Sequence, residues 1–318
     1  MKVCPEGRVE FSGTAIMLDR AARNGEPVIV SHAHADHTVR KGRILASPET
    51  KRLLEVRYRT KDCKGLSYGK PYGLDGVKIT LYPSGHILGS AQVLLKDNRT
   101  SLLYSGDIKL RRPSSCAPIE IPHAENLIVE ATFGTHLFQW PRIEKIIGQI
   151  DKFIADCRRL SKTPVFLAYS LGKSQELLSI LKDFDQPVSV SQTVFQMSKV
   201  YEEFGIDLGT YTLYEDEEVV PGILVIPPQK ARHLKLAKPR FAMVTGWALS
   251  RNGSRRIQIP LSDHADFGEL LRYVDKVNPR RVWTTHGYAR ELATALRHRG
   301  YAAQELEEAS DVNLSLSL

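Results

Sequence analysis

The stretch VIVSHAHADHT, residues 28–38, places three imidazoles and one carboxylate within six positions: His32, His34, Asp36 and His37. The apolar run Val28–Val30 before them is typical of a strand, which would end in a loop that directs several nitrogens and one oxygen toward a common point. Donors of these types form zinc sites that stay open for chemistry. The alternative is a histidine-rich surface loop that binds metal only by accident.

Three later residues are candidates to complete such a site, because each follows a strand-like run. They are His86 in PSGHILGSAQ, Asp107 in LLYSGDIKL and His286 in VWTTHGY. A carboxylate at position 107 could bridge two metal ions held about 3.5–4 Å apart, as two-metal hydrolases require. Each residue alone could be an ordinary polar loop residue, but the three together with the first cluster favour a shared metal site.

The elements that must position these residues change character along the chain. The first third is rich in short strands, and a further strand is predicted at 125–130. Apolar residues from Ile143 to Cys157 follow helical spacing, so Pro141–Leu160 is predicted as an amphipathic helix. Alternating strands and helices then favour an α/β unit with a largely parallel sheet, and strand–loop–helix units return after about residue 257.

The order of HxHxDH, His86 and Asp107 resembles the metallo-β-lactamase superfamily. Glu130 in LIVEATFG, His264 in LSDHADF and His286 in TTHG resemble the further motifs of its β-CASP branch, whose members cut DNA or RNA. LAYSLGKSQELL, residues 167–178, is also similar to a β-CASP sequence motif.

The resemblance implies an α/β fold, the metallo-β-lactamase αββα sandwich with an inserted α/β β-CASP domain. Residues 1–134 would begin the metallo-β-lactamase domain, 135–251 would form the insert and 252–318 would complete the first domain. The last residues, Asp311–Leu318, carry no pattern and are expected to be disordered.

Ligand and catalytic roles follow from the same resemblance. One metal ion would be held by His32, His34 and His86, a second by Asp36, His37 and His286, with Asp107 bridging the two. The expected cofactors are two Zn²⁺ per chain, with Mn²⁺ as an alternative. The catalytic residues would be Asp36, Glu130 and His264, with Glu130 holding His264 protonated so that it donates a proton to the leaving oxygen.

Asp19 in AIMLDRA matches the first motif of the family. It would orient a ligand histidine through the free ring N–H of that histidine. A residue that forms a turn at the end of a strand is the alternative.

Substrate contacts are less defined by the sequence. Ser170 and Lys173 lie at a predicted strand-to-helix turn, where backbone amides and an ammonium could hold a phosphate, although an ordinary helix start would look the same. Lys109, Arg111 and Arg112 follow Asp107 directly and could contact a nucleic-acid backbone. Trp140 and Trp247 could stack on bases, but core packing is the simpler role for aromatic residues in an α/β chain.

Longer segments narrow the resemblance to the small ligase-associated DNA exonuclease group. They include residues 68–93, CAPIEIP, ATFGTHLFQWP and VTGWAL. The implied function is a zinc-dependent exonuclease that hydrolyses phosphodiester bonds of single-stranded DNA in repair, with DNA ligase and helicase machinery as partners.

Three other functions remain open. An RNA-processing exo- or endoribonuclease is the first, because Glu130 and His286 are more typical of RNA-cutting members. A small-molecule metallo-hydrolase is less favoured, because such members lack the insert. A metal-free scaffold would have lost ligands, whereas every expected ligand is present here.

Charge, cysteine content and hydrophobicity limit the possible partners and the cellular location of the protein. The formal charge of +8 suits either plain solubility or a polyanionic partner. The four cysteines lie far apart and form no CxxC pair, which favours reduced thiols over disulfides. No secretion signal or apolar run long enough to cross a bilayer is visible, so a cytoplasmic protein without membrane contact is expected.

Overall fold

A computed structural model describes residues 1–11, 13–216, 219–250 and 257–306. The chain begins with a six-stranded sheet whose strands lie side by side in chain order. These strands are β1 Lys2–Val3, β2 Arg8–Phe11, β3 Thr14–Leu18, β4 Val28–Ile29, β5 Ile44–Ala46 and β6 Cys63–Gly65. The first two pairings are antiparallel, and from β3 onward the strands run parallel.

Helix α1, Pro48–Tyr58, lies between β5 and β6. The Ser47 hydroxyl accepts a hydrogen bond from the Thr50 amide at 3.0 Å, and Pro48 occupies the first turn. Both features are start signals for a helix.

A second sheet starts with five strands. They are β7 Tyr72–Leu74, β8 Val77–Pro83, β9 Ala91–Lys96, β10 Ser101–Tyr104 and β11 Asn126–Glu130. Strands β7 to β10 form antiparallel pairs, whereas β11 runs parallel to β10.

The insert follows β11 and has its own six-stranded sheet. Its elements are α2 Ile143–Arg159, β12 Thr163–Leu167, α3 Lys173–Leu181, β13 Val188–Val190, α4 Gln192–Glu203, β14 Thr212–Leu213, β15 Ile223–Ile226, β16 Pro239–Val244 and β17 Ile257–Ile259. The spatial order is β14-β13-β15-β12-β16-β17, and all of the pairings are parallel. This confirms the predicted parallel sheet. Short 3-10 helices at Pro228–His233 and Gly246–Leu249 follow β15 and β16.

The chain then returns to the second sheet. Helix α5, Phe267–Val277, precedes β18, Arg281–Thr285; helix α6, Ala289–His298, precedes β19, Ala302–Glu305. Strand β18 pairs in parallel with both β11 and β19, so the second sheet has the order β19-β18-β11-β10-β9-β8-β7. The first and second sheets are thus the β layers of an αββα sandwich, which confirms the predicted fold class.

Side-chain alternation along the strands separates the cores. The first two sheets share a core that includes Phe11, Ile16 and Ile79, whereas α5 and α6 cover the other face of the second sheet through residues such as Leu270 and Leu292. In the insert, Phe166 faces the core shared with α2, α3 and α4, while Val165 and Leu167 face the opposite side. That period of two is the pleat of a strand buried on both faces.

The insert packs directly on the sandwich. One hydrophobic cluster joins Val28 and Ala46 of the first sheet to Ile150, Leu177 and Val194 of the insert. The side chain of Arg52 in α1 also forms two hydrogen bonds, of 2.7 and 2.9 Å, to the Glu203 carboxylate in α4.

The predicted elements compare closely with the observed ones, apart from their ends and a few omissions. Helix α2 covers Ile143–Arg159 of the predicted Pro141–Leu160. The sequence also predicts a helix at Phe267–Val277 and a strand at Arg281–Thr285, and α5 and β18 have these limits. Helix α1 was not predicted, because its buried face offers only Thr50, Leu53 and Leu54 and its apolar pattern is weak.

The predicted end of the insert needs a correction. Strand β17, Ile257–Ile259, was assigned to the returning first domain, but it pairs with β16 in the sheet of the insert. The predicted boundary at 251/252 itself falls outside the described residues, as does Asp311–Leu318.

Two further expectations concern cysteines and membranes. The four cysteines are buried and free. Among the residues that the structure describes, every helix is too short or too polar to cross a bilayer.

Candidate active site

The candidate ligands meet at one edge of the sandwich because each follows the carboxyl end of a strand. The HxHxDH loop follows β4, His86 follows β8, Asp107 follows β10 and His286 follows β18. Strands β10, β11 and β18 run parallel to one another, and β8 has the same direction as β10 because both are antiparallel to β9. Parallel strands end at the same edge, and there His37, in the loop after β4, lies beside His286, which is 249 positions later in the chain.

The first cluster consists of His32, His34, His86 and Asp107. The His34 Nδ1 atom lies 3.1 Å from both His32 Nε2 and His86 Nε2. The Asp107 Oδ2 atom lies 3.3 Å from His32 Nε2 and 3.5 Å from His86 Nε2. Four donor atoms from three loops therefore surround one point.

The second cluster, formed by Asp36, His37 and His286, lies on the other side of Asp107. The Asp107 Oδ1 atom is 3.6 Å from His37 Nε2, and His37 Nε2 is 3.7 Å from Asp36 Oδ2. The rings of His37 and His286 have their centroids 5.4 Å apart. The two oxygens of one carboxylate thus face two different groups of donors.

The donors of the first cluster fit a zinc ion. Tetrahedral zinc with bonds of 2.0–2.1 Å separates its ligand atoms by about 3.3 Å, close to the distances within this cluster. Burial and neighbouring imidazoles lower the pKa of His32 and His86 well below the usual value, and burial lowers the pKa of His34 to about 4. These imidazoles are therefore neutral near pH 7, the form that binds metal.

The charges on the second side differ. Burial opposes a charge on His37, but the carboxylates of Asp107 and Asp19 outweigh it and raise the pKa of His37 to about 10. Burial raises the pKa of Asp107 to about 7, against the opposing effect of His37. The cluster thus concentrates groups whose protonation a cation would replace, and it is suited to metal binding.

Asp19 lies directly behind the HxHxDH loop. Its Oδ2 atom lies 2.8 Å from His37 Nδ1 and accepts a hydrogen bond of 2.8 Å from the Tyr104 hydroxyl. It also accepts hydrogen bonds of 2.6 Å from the Ser31 amide and hydroxyl. Asp19 has a φ of +54°, a left-handed conformation that aspartate adopts more readily than most residues. The geometry matches the predicted orienting role, which stays a prediction.

His264 and Glu130 form a pair next to the metal-ligand candidates. The His264 Nδ1 atom is 3.2 Å from both Glu130 carboxylate oxygens, and its Nε2 atom is 3.8 Å from Asp107 Oδ2. The Glu130 carboxylate also accepts hydrogen bonds from the amides of Ile108 and Thr132, at 2.8 and 3.3 Å. These bonds fix the orientation of the His264 ring, with Nε2 toward the clusters.

The protonation of this pair follows from its charges. Burial disfavours a charge on His264, but Glu130 and Asp107 raise its pKa to about 9. Burial likewise opposes ionisation of Glu130, yet His264 holds the pKa of that carboxyl below its usual range. The pair is an imidazolium and a carboxylate at neutral pH.

Asp263 is a site residue that the sequence reasoning missed. Its backbone carbonyl oxygen lies 2.8 Å from His86 Nδ1, and its carboxylate accepts a 2.5 Å hydrogen bond from the Lys173 ammonium. Both charged side chains are about 95% buried. The available signal was its place beside His264 in LSDHADF, but its partner lies 90 positions away in the insert.

Gly172 allows the insert to approach the first cluster closely. It has a φ of +86°, and a Cβ atom there would lie 2.4 Å from Ile87 Cγ2 and 3.5 Å from His34 Nε2. The preceding carbonyl, that of Leu171, lies 3.2 Å from the same His34 Nε2 atom. Only glycine allows this approach without a clash.

The predicted substrate contacts divide into two groups. Lys173 and Ser170 line the cleft beside the clusters, although the Lys173 charge is paired with Asp263. Lys109 is buried in an ion pair with Glu176, and Arg111 donates to the carbonyls of Pro141 and Trp140. The donors of Lys109 and Arg111 thus hold the insert and the α5 region.

Arg112 and Trp140 lie in different surroundings. Arg112 is exposed and lines a separate groove with residues of α5, and its contact with a nucleic-acid backbone stays a prediction. Trp140 is buried, and its Nε1–H donates to the His264 carbonyl at 3.0 Å. Its role is therefore core packing beside the site.

A cleft of about 490 Å³ opens over the clusters between the sandwich and the insert. The sandwich contributes His34, Asp36 and Arg57, the insert contributes Tyr169, Ser170 and Trp247, and His264 lies on the same wall as Asp263. His264 and Asp36 both line this cleft, so a substrate bound in it lies within reach of both side chains.

Comparison with known proteins finds one matching family model and several relatives. The family model described as the Zn-dependent metallo-hydrolase RNA specificity domain matches residues 253–305. The chain is 39% identical over 300 residues to a probable DNA ligase of Opitutus terrae, a match that covers 90% of this chain and 29% of that protein. It is 23% identical over 342 residues to an RNase J-like protein of Methanocaldococcus jannaschii, covering 82% and 81% of the two chains.

A further relative is the DNA cross-link repair protein SNM1 of Arabidopsis thaliana, 22% identical over 292 residues, with 80% of this chain and 60% of that protein covered. The chain belongs to the metallo-β-lactamase/β-CASP nuclease superfamily. This confirms the family recognised from the motifs. The β-CASP chain spans less than a third of the Opitutus protein that it matches.

A solved structure supports the fold of this β-CASP chain independently. The crystal structure of a protein of unknown function from Enterococcus faecalis V583 has a TM-score of 0.61, covering 85% of this chain and 77% of that one. At 13% sequence identity, the likeness concerns the fold alone.

Proposed function

We propose that this β-CASP protein is a metal-dependent nuclease that hydrolyses phosphodiester bonds of single-stranded nucleic acid, and that it acts as a DNA exonuclease in repair. The observation that carries the proposal is Asp107, whose two oxygens face two donor clusters 3.3 to 3.6 Å away, with the His264–Glu130 pair beside it. Two-metal sites of this form serve phosphoryl transfer.

The ligands are assigned from the geometry and the family motifs. One zinc ion would be held by His32, His34 and His86, a second by Asp36, His37 and His286, with Asp107 shared between them. Mn²⁺ is the alternative metal. Bound metal ions would supply Lewis acidity toward the phosphoryl oxygens and the attacking water.

His264 is assigned as the proton donor for the leaving oxygen. Its Nδ1–H is directed to Glu130, so Nε2 is the atom that can donate into the cleft. The Glu130 carboxylate favours the protonated form of this ring. Asp19 and the Asp263 carbonyl hold the ring orientations of His37 and His86, from the side away from their metal-facing nitrogens.

DNA is the preferred substrate on the strength of the longest similarity. The region of the Opitutus protein that matches this chain belongs to a larger protein named a probable DNA ligase, and SNM1 is named for DNA cross-link repair. Trimming of single-stranded DNA ends before ligation is an activity compatible with the names of both relatives. DNA ligase and helicase machinery are accordingly proposed as partners.

RNA is the second candidate, and specific observations favour it. The matching family model is described as an RNA specificity domain, and another relative is named RNase J-like. Glu130 and His286 are also the residue types more typical of RNA-cutting members.

The test compares matched single-stranded DNA and RNA of the same sequence, labelled at either end, with and without a 5′-phosphate. We expect DNA to be shortened progressively from one end, and Asp107→Asn to abolish cleavage and lower the zinc content. A preference for RNA of more than about tenfold, corresponding to about 1.4 kcal/mol in transition-state stabilisation, would replace DNA by RNA in the proposal.

The same preparations test the remaining classes. Hydrolysis of a lactam or thioester with no action on either nucleic acid would support a small-molecule hydrolase. Less than about one zinc per chain after purification without chelators, together with inactivity, would support a scaffold.

A further inference from the structure

Exposed aromatic side chains are concentrated in the cleft. Within the part of the chain that the structure describes, three aromatic side chains belong to the exposed class: Tyr169 at 56%, Trp247 at 38% and Phe204 at 38%. Tyr169 and Trp247 both line the cleft together with His264, whereas Phe204 lies in a separate depression beside α1. Exposed aromatic faces next to a reaction centre are suited to stacking on flat ligands.

The Trp247 ring is fixed in place by other aromatic rings. Its centroid is 4.9 Å from that of Phe133 and 5.5 Å from that of Phe138, the second in an edge-to-face arrangement. The backbone is tightly packed as well, because a Cβ atom on Gly246 would lie 2.6 Å from Phe133 Cζ. A ring held this firmly loses little conformational entropy when it binds a ligand.

Tyr169 is presented from the insert. It follows β12, and its carbonyl accepts hydrogen bonds from the Ser174 amide at 3.1 Å and from the Ser174 hydroxyl at 2.7 Å. These bonds anchor the backbone at the start of α3 and leave more than half of the side chain exposed in the cleft.

A guanidinium accompanies the two rings. Arg57 lines the same cleft, and its Nη1–H donates to the Ala33 carbonyl within the HxHxDH loop at 2.7 Å. An arginine held by one of its five N–H groups keeps others for a phosphate.

We propose that Trp247 and Tyr169 stack on unpaired bases of a single strand in the cleft, while Arg57 contacts the sugar–phosphate backbone. The inference rests on the proposed function and narrows its substrate class. Every base has a π face, so stacking tolerates any sequence, but paired bases within a duplex are already stacked on one another. The preferred substrate is therefore a strand whose bases are unpaired and accessible.

The experiment separates base contacts from phosphate contacts. The zinc-loaded protein is titrated with two fluorescent phosphorothioate strands of equal length, one oligothymidine and one abasic, and binding is followed by anisotropy. Trp247→Ala and Tyr169→Ala should each weaken binding of oligothymidine by about 5- to 150-fold, the usual range for one base stacked on one aromatic ring. Both variants should bind the abasic strand like the wild type.

The controls make the outcome specific. Trp247→Phe should retain most of the affinity, and Phe204→Ala, which removes an equally exposed ring outside the cleft, should change neither affinity. Arg57→Gln should weaken both strands alike and reduce the slope of log K against log salt by about 0.7, as expected for one lost phosphate contact on a single strand.

Two results would overturn the stacking proposal. The first is that Trp247→Ala and Tyr169→Ala bind oligothymidine as tightly as the wild type. The second is that these variants lose affinity equally for oligothymidine and for the abasic strand. Hydrolysis of bis-p-nitrophenyl phosphate by the same zinc-loaded preparation is measured in parallel. Its absence, with base-dependent binding intact, would count against the nuclease assignment while supporting the stacking role.

Discussion

The buried ion pair between Lys173 and Asp263 should be one of the strongest links between the insert and the metal site. Its Nζ–Oδ1 distance is 2.5 Å, and both side chains are about 95% buried. The lysine holds the pKa of the Asp263 carboxyl well below its usual range, against the effect of burial. Lys173→Met keeps much of the apolar stem but leaves the carboxylate buried without its counter-ion.

The expected cost follows from that uncompensated charge. Removing one member of a buried pair destabilises a protein by about 3–5 kcal/mol, because the remaining charge has lost its solvation and its partner. In the double variant Lys173→Met/Asp263→Asn no charge is left, and replacement of both members is often close to neutral. We therefore expect the second substitution to recover at least about 2 kcal/mol of the free energy of unfolding.

Urea unfolding followed by circular dichroism, with and without zinc, measures these differences. Lys182→Met is the matched control, because Lys182 ends the same helix α3 and pairs with the exposed Asp207 at 3.1 Å. An exposed pair contributes little, so the control should unfold like the wild type. If Lys173→Met were no less stable than Lys182→Met, or if the double variant were less stable than the single one, the assigned role of the pair would be wrong.

Three further predictions concern the site. Gly172→Ala should lower the free energy of unfolding, measured by thermal melts, by more than about 1 kcal/mol, because the φ of Gly172 is +86° and the added Cβ meets Ile87. The control is Gly148→Ala, on the open side of α2, which should be neutral or stabilising in the same melts. Asp19→Asn should weaken zinc binding about 10- to 100-fold in a chelator competition, since it alters the hydrogen bond at His37 Nδ1; unchanged affinity would remove its orienting role. His264→Asn should slow oligonucleotide cleavage about 10²- to 10⁴-fold but slow bis-p-nitrophenyl phosphate hydrolysis far less, because p-nitrophenolate leaves without a proton. Equal losses on both substrates would contradict the proton-donor assignment.

The sequence predicted those features that depend on local pattern. Helix α2 was found because Ile146, Ile150 and Phe153 keep the helical period, and the ligand loops were found because short apolar runs end at His32 and Asp107. Helix α1 escaped the same reasoning, although Ser47 and Pro48 are start signals that a search for caps would have found.

Charged side chains were harder to interpret from sequence. Lys109 was a candidate phosphate contact because it follows Asp107, and Lys173 because it lies at a strand-to-helix turn. Their carboxylate partners are 67 and 90 positions away. Sequence separation hides such pairs, and only folding decides whether a lysine faces solvent or a buried acid.

The amino-acid sequence by itself determined which residues can bind metal and which strand each of them follows, because residue chemistry and hydrophobic period are local properties. The three-dimensional fold decided that β4, β8, β10 and β18 end at one edge, that the insert closes over that edge, and that Trp247 rather than Trp140 remains exposed there. Those outcomes depend on strand order and on packing between segments far apart in the chain, which no local pattern records.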